Sequence, residues 1–135
     1  MSMIDPTEMG LEEANEPYAV KAGEEYKLVI VDVKEGTDKN DLDYLMPKIE
    51  VVGEPYAKDF SYFLHVPNAK KMSVKQLNRV RFNYRSFCEC FGIDLSRPHD
   101  PKDEWPGHEG FAILGASSDD QYGEQNFIKK LVTPR

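Results

Sequence analysis

SVKQLNRVRFNYRSFCECF, residues 73 to 91, is the stretch on which the fold turns. Val74, Leu77, Val80, Arg81, Tyr84, Phe87, Cys88 and Phe91 keep the i, i+3, i+4, i+7 spacing of a helix with one apolar face, interrupted only at Arg81. Its ends are marked as well. Ser73 and Gln76 stand at capping-box spacing, and Gly92 follows where a left-handed residue ends a helix. The spacing predicts one amphipathic helix over residues 73–91, and the chain on either side of it reads as strand.

Upstream, Tyr26 to Glu35 reads YKLVIVDVKE, with Tyr26, Leu28 and Ile30 on one side and Val29, Val31 and Val33 on the other. Such a run predicts a strand buried on both faces, as in a long first strand that curls between the halves of a small barrel. A turn cluster over Gly36 to Asp41 follows. Tyr44 to Val52 then alternates with Leu45, Ile49 and Val51 inward, and Pro47, which has no N–H to give to a ladder, calls for a bulge or an edge position. After Gly53-Glu54-Pro55, the residues Phe60, Tyr62, Leu64 and Val66 form the next inward set, which leaves Ser61, Phe63 and His65 outward. Beyond the helix, a loop rich in Pro and Asp that holds Trp105 leads to strands over residues 111–117 and 125–133.

The order is three strands, a helix and two strands. A mainly β chain with five short strands and one α-helix between strands 3 and 4 has the element order of the OB-fold, a partly open Greek-key barrel whose second and third strands face oligonucleotides. An SH3-like barrel has no place for a 19-residue amphipathic helix at that point.

Hydrophobic residues make up 40% and charged residues 30% of the 135 residues, which places the chain among ordinary globular domains and away from disordered or membrane classes. No apolar run reaches the ~18 residues that span a bilayer, and the N-terminus lacks the basic start and apolar centre of a signal peptide, so a cytoplasmic location without membrane contact is expected. Cys88 and Cys90 stand two apart on the helix, pointing to nearly opposite sides, and read as reduced thiols. Net charge is −7. That sum opposes a phosphate-bearing partner, yet Asp5, Glu8, Glu12, Glu13 and Glu16 give residues 1–20 a charge of −5 with no Lys or Arg, leaving −2 elsewhere. Lys70, Lys71, Lys75, Arg79, Arg81 and Arg85 oppose only Glu89 and Asp94 over residues 66–95. We therefore expect an acidic, mobile arm over residues 1–20, outside the core, and one domain over residues 21–135.

Residues 110–115, GFAILG, and 122–131, YGEQNFIKKL, carry a resemblance. Together with Asp119-Asp120 they are similar to the C-terminal signature of a family of bacteriophage OB-fold proteins that bind single-stranded DNA, in which a Gly-containing strand is followed by an acidic turn, a Tyr-Gly pair, an Asn and a basic-apolar last strand. Looser similarity runs upstream through Tyr26 to Val33 and the Gly53-Glu54-Pro55-Tyr56 turn, so about residues 20–133 are covered. The resemblance implies sequence-tolerant binding of single-stranded DNA during replication or recombination in a phage-infected bacterium. Many single-strand binders recruit replication proteins through an acidic tail, whereas this chain ends KKLVTPR and holds its acid at the N-terminus.

Binding single strands without regard to sequence takes aromatic faces for bases and cations for the backbone. Outward aromatics near Lys are the candidates: Tyr44, Lys48, Phe63 and His65 on the second and third strands, Lys39 and Tyr122 in the two barrel loops, and Phe127 and Lys129 on the last strand. Lys75, Arg79 and Arg85 read instead as a solvated helix face. Metal and catalytic readings are weaker. Cys88, Cys90, His99 and His108 lack zinc-ligand spacing, Asp38, Asp41 and Asp43 lack the Gly and terminal Glu of a calcium loop, and Asp119, Asp120 and Glu124 lack a catalytic Lys or His at fixed spacing. No enzyme activity and no cofactor are expected. The expected partners are single-stranded DNA and replication or recombination proteins, with self-association open, and the competing reading is an adaptor that binds protein through the same strip.

Overall fold

The computed structural model describes residues 3–134. A mainly β architecture emerges, with one antiparallel six-stranded sheet: β1 (Glu25–Thr37), β2 (Asp43–Val51), β3 (Phe60–Ser61), β4 (Leu64–His65), β5 (Glu109–Asp119) and β6 (Gly123–Leu131). The long helix α1 (Val74–Cys90) stands between β4 and β5, followed by the single turn α2 (Pro101–Glu104). Ladders run in the order β3-β2-β1-β5-β6, with β4 also on β2. The sheet curls until its edge strands β3 and β6 come within 8 Å, Cα to Cα, but no ladder joins them.

Six strands appear where five are expected, and Pro47 is the reason. Lys48 pairs with Ser61 and Ile49 with Phe60, while Leu45 pairs with Leu64 and Tyr44 with His65, so β3 and β4 keep a single register on β2. Between them, Tyr62 N–H donates to the Pro47 carbonyl but Pro47 has no N–H to return. The ladder lapses there and resumes two residues on.

The first strand departs from its expected burial. Leu28, Ile30 and Val33 are buried, but Val29 and Val31 are only half-buried. The register against β2 slips between Ile30 and Asp32, so Val31 is an extra residue in a bulge and the inward face passes from Ile30 to Val33. One face of β1 meets the core, not two.

The helix closes that core. Ser73 Oγ accepts the Gln76 N–H at its start, and Gly92, with φ +65°, turns the chain away at its end. Phe87 stacks on Tyr62 with centroids 5.2 Å apart and meets Phe91 at 4.7 Å and the fully buried Trp105 at 5.5 Å. Trp105 Nε1 donates to His99, so the indole is buried without losing its hydrogen bond.

The expected arm splits in two. Residues 3–16 are almost wholly exposed and form two 3-10 turns, Pro6–Glu8 and Leu11–Glu13. Tyr18 to Val20 instead belong to the body. Tyr18 forms a parallel bridge to Ala57, and Val20 is a core residue whose N–H and C=O both bond to the Asn126 side chain. This strap crosses the seam that β3 and β6 leave open. Among the described residues, no helix is long and apolar enough to cross a membrane.

Candidate nucleic-acid interface

Strand alternation sends Tyr44 of β2 and Phe63 and His65 of the β3–β4 segment to the outer face, and the sheet packs their rings into one group. The Phe63 centroid lies 4.7 Å from Tyr44 and 4.8 Å from His65, tilted by 33° on the first and edge-on at 85° to the second. Phe63 is 48% exposed. Tyr44 lies flatter because Gly36, its partner on β1, has no side chain: a Cβ there would stand 2.6 Å from the tyrosine hydroxyl oxygen. The imidazole is anchored at its far side. His65 Nε2 lies 3.0 Å from Asp38 Oδ2, while Asp38 Oδ1 accepts the N–H groups of Asn40 and Leu42 in the β1–β2 loop. The bond to His65 first, then that to Leu42, hold the Asp38 carboxyl below its usual range.

The remaining candidates are spread more widely. Lys39 is exposed in the β1–β2 loop, two residues from Asp41. Lys48 shares the outer face of β2, but its Nζ lies 3.3 Å from Asp59, which answers part of its charge. Tyr122 is 60% exposed in the β5–β6 turn, where Lys58 Nζ donates at 3.0 Å to the carbonyls of Tyr122 and Glu124. Lys58 precedes β3, which pairs with the Lys48–Ile49 part of β2, whereas the rings lie where β4 pairs with Tyr44 and Leu45, so the turn is tied to the other part of that strand. Phe127 is 44% exposed and covers Gly115, where a Cβ would meet its ring at 2.4 Å, and Lys129 is exposed at a bulge of β6. The structure thus brings together Tyr44, Phe63 and His65, sets Lys48 on β2 and Lys39 in the β1–β2 loop, and keeps Tyr122, Phe127 and Lys129 on the far side of the seam.

Two features were not read from the sequence. Lys58 is the residue that pins the β5–β6 turn. Arg79 is not simply a solvated helix residue: with Gln76, Val80 and Asn83 it lines a cleft of about 240 Å³ whose opposite wall is Phe63, Leu64 and His65. The helical spacing of 76, 79, 80 and 83 groups those four side chains, but which strand they face depends on how the helix docks.

Three of the four residues weighed as zinc ligands have other partners, and the fourth, Cys88, lies in the core. Cys88 is fully buried, and burial pushes its thiol up to about 12. Cys90 Sγ donates to the Phe111 carbonyl, His99 accepts from Trp105, and His108 Nδ1 lies 2.9 Å from the Phe91 carbonyl. No family model matches the chain, and no curated protein matches it significantly.

Proposed function

We propose that the protein binds single-stranded DNA along the outer face of β2, β3 and β4, on a barrel of the OB type, and serves DNA replication or recombination in a phage-infected or prophage-bearing bacterium. The observation that carries this reading is the outer-face ring group on β2 and the β3–β4 segment, in which Phe63 is exposed and Tyr44 and His65 beside it are half-buried. Bases stack on such faces without regard to sequence, each contributing about 1 to 3 kcal/mol. A curled antiparallel sheet whose core is closed by one helix after the β3–β4 segment, with the sheet edges brought close, fits the OB arrangement. Few unpaired cations lie on the strip, so stacking supplies much of the affinity and salt dependence is modest, with log K falling by roughly 0.7 per decade of salt for each phosphate neutralised.

The test is fluorescence anisotropy with a labelled oligonucleotide beside circular dichroism. Phe63→Ala is expected to weaken binding to single strands about 5- to 150-fold with the fold intact, and duplex is expected to bind more weakly than single strands. A second reading, an adaptor that binds protein, is favoured by a different surface. An open groove of about 610 Å³ runs between Lys27, Gly110, the 46% exposed Phe111 and the segment Val132 to Pro134. Equal affinity for duplex, or unaltered binding in Phe63→Ala, would favour the adaptor.

A further inference from the structure

The cleft between α1 and β4 has the make-up of a subsite. Gln76, Arg79, Val80 and Asn83 stand at i, i+3, i+4 and i+7, so they form one continuous stripe of the helix. The stripe faces Phe63 and His65 across a space floored by Val80 and Leu64, which are 7% and 2% exposed. An apolar floor, an aromatic lip and three hydrogen-bonding side chains therefore meet at one place. Those three side chains are uncommitted. Arg85 pairs with Glu89, Arg97 with Glu104 and Lys71 with Asp41, but no carboxylate pairs with Arg79 among the described residues. The side-chain amides of Gln76 and Asn83 likewise make no hydrogen bond to the rest of the described protein.

We propose that this cleft receives one nucleotide of a bound single strand, with the base against Phe63, the Arg79 guanidinium on its phosphate, and Gln76 and Asn83 on the edge of the base. A guanidinium presents several N–H groups in a fixed fork that matches phosphate oxygens, and a primary amide offers both a donor and an acceptor to a base edge. The cleft is smaller than the roughly 300 to 1,000 Å³ of pockets that enclose a free ligand, which suits one unit of a polymer held elsewhere by stacking. Binding that tolerates sequence along most of the strip then acquires a base preference at a single position. This assignment rests on the single-strand reading given above.

Anisotropy titrations of the full chain with labelled dT, dC and dA oligonucleotides over a range of salt test it, with circular dichroism on every variant. Arg79→Gln is expected to weaken binding about tenfold, the loss of one hydrogen-bonded charge, and to reduce the salt slope by about 0.7. Arg79→Lys should restore the slope. The double variant Gln76→Ala with Asn83→Ala should keep the slope and level the affinities for the three oligonucleotides. Arg85→Gln, on the same helix but outside the cleft, should match the parent. If Arg79→Gln also matches the parent while Phe63→Ala loses binding, the cleft assignment is overturned and the single-strand reading stands. If the parent protein binds no oligonucleotide, both fall.

Discussion

The two ends of β2 are held by different means. At the end next to the β1–β2 loop the ties are mostly local or run across one ladder: Asp38 accepts from Asn40 and Leu42, Thr37 bonds to Asp43, and Tyr44 faces His65. At the other end the ties join distant parts of the chain. Val20 bonds to Asn126 across 106 residues, and Lys58 reaches Tyr122 and Glu124 across 64 and 66. The first end can form as soon as its turn does, whereas the second exists only once the sheet has curled and brought β6 back to β3. A break at the first end should therefore stay local, and a break at the second should loosen the closure as a whole.

Asn126→Ala should show the largest effect. Asn126 is 5% exposed; its Oδ1 accepts the Val20 N–H at 2.8 Å, and its Nδ2 donates to the carbonyls of Val20 and Gly115 at 3.0 Å each. Alanine would leave one N–H and two carbonyls without these partners, at a cost of about 2 to 4 kcal/mol in a buried setting. Urea unfolding should show the midpoint falling accordingly, and a midpoint equal to the parent's would mean that the strap does not hold the seam. Lys58→Met should cost less, about 1 kcal/mol or under, because its two bonds are open to solvent. Its signature is local. Amide exchange over residues 120–124 should quicken while that of Tyr44 and His65 is unchanged; equal quickening at both sites would erase the distinction between the ends.

The same contrast explains what the sequence disclosed. Ser73, Gln76 and Gly92 announce a helix through contacts within a few residues, and the alternation of Ser61, Phe63 and His65 needs only the period of a strand. Pro47 signalled an irregularity because a missing N–H is a property of the residue itself, although its result, one strand divided into β3 and β4, required knowing the partner strand. The bulge at Val31 had no such sign: YKLVIVDV alternates without a break, and the slip is set by how β1 must bend to meet both β2 and β5. Val20 lies in a stretch without period, and its burial follows from Asn126, 106 residues on. Arg79 and Lys58 escaped for a related reason. Their chemistry was visible, but their neighbours come from other elements.

Acid should separate the two ends by the smallest but most specific effect. Asp38 is hydrogen-bonded to His65 Nε2 and to two loop N–H groups, contacts that favour its carboxylate and place its folded pKa below the ordinary value. A group whose pKa is depressed by folding stabilises the fold above its unfolded value, and that contribution is lost as pH falls through the folded value. The window thus begins near pH 4 and extends downward. Asp38→Asn removes the titrating group while keeping an oxygen that can accept from Asn40 and Leu42. The thermal midpoint of the parent should exceed that of Asp38→Asn at about pH 5, and the gap should close as the pH drops below about 4. Asn126→Ala should behave differently, because nothing in its three bonds titrates: its deficit should be the same at pH 6 and at pH 4. If the Asp38→Asn gap at about pH 3 equalled that at about pH 5, the carboxylate would not be what holds the β1–β2 loop to His65, and the ring group would owe its position to packing alone.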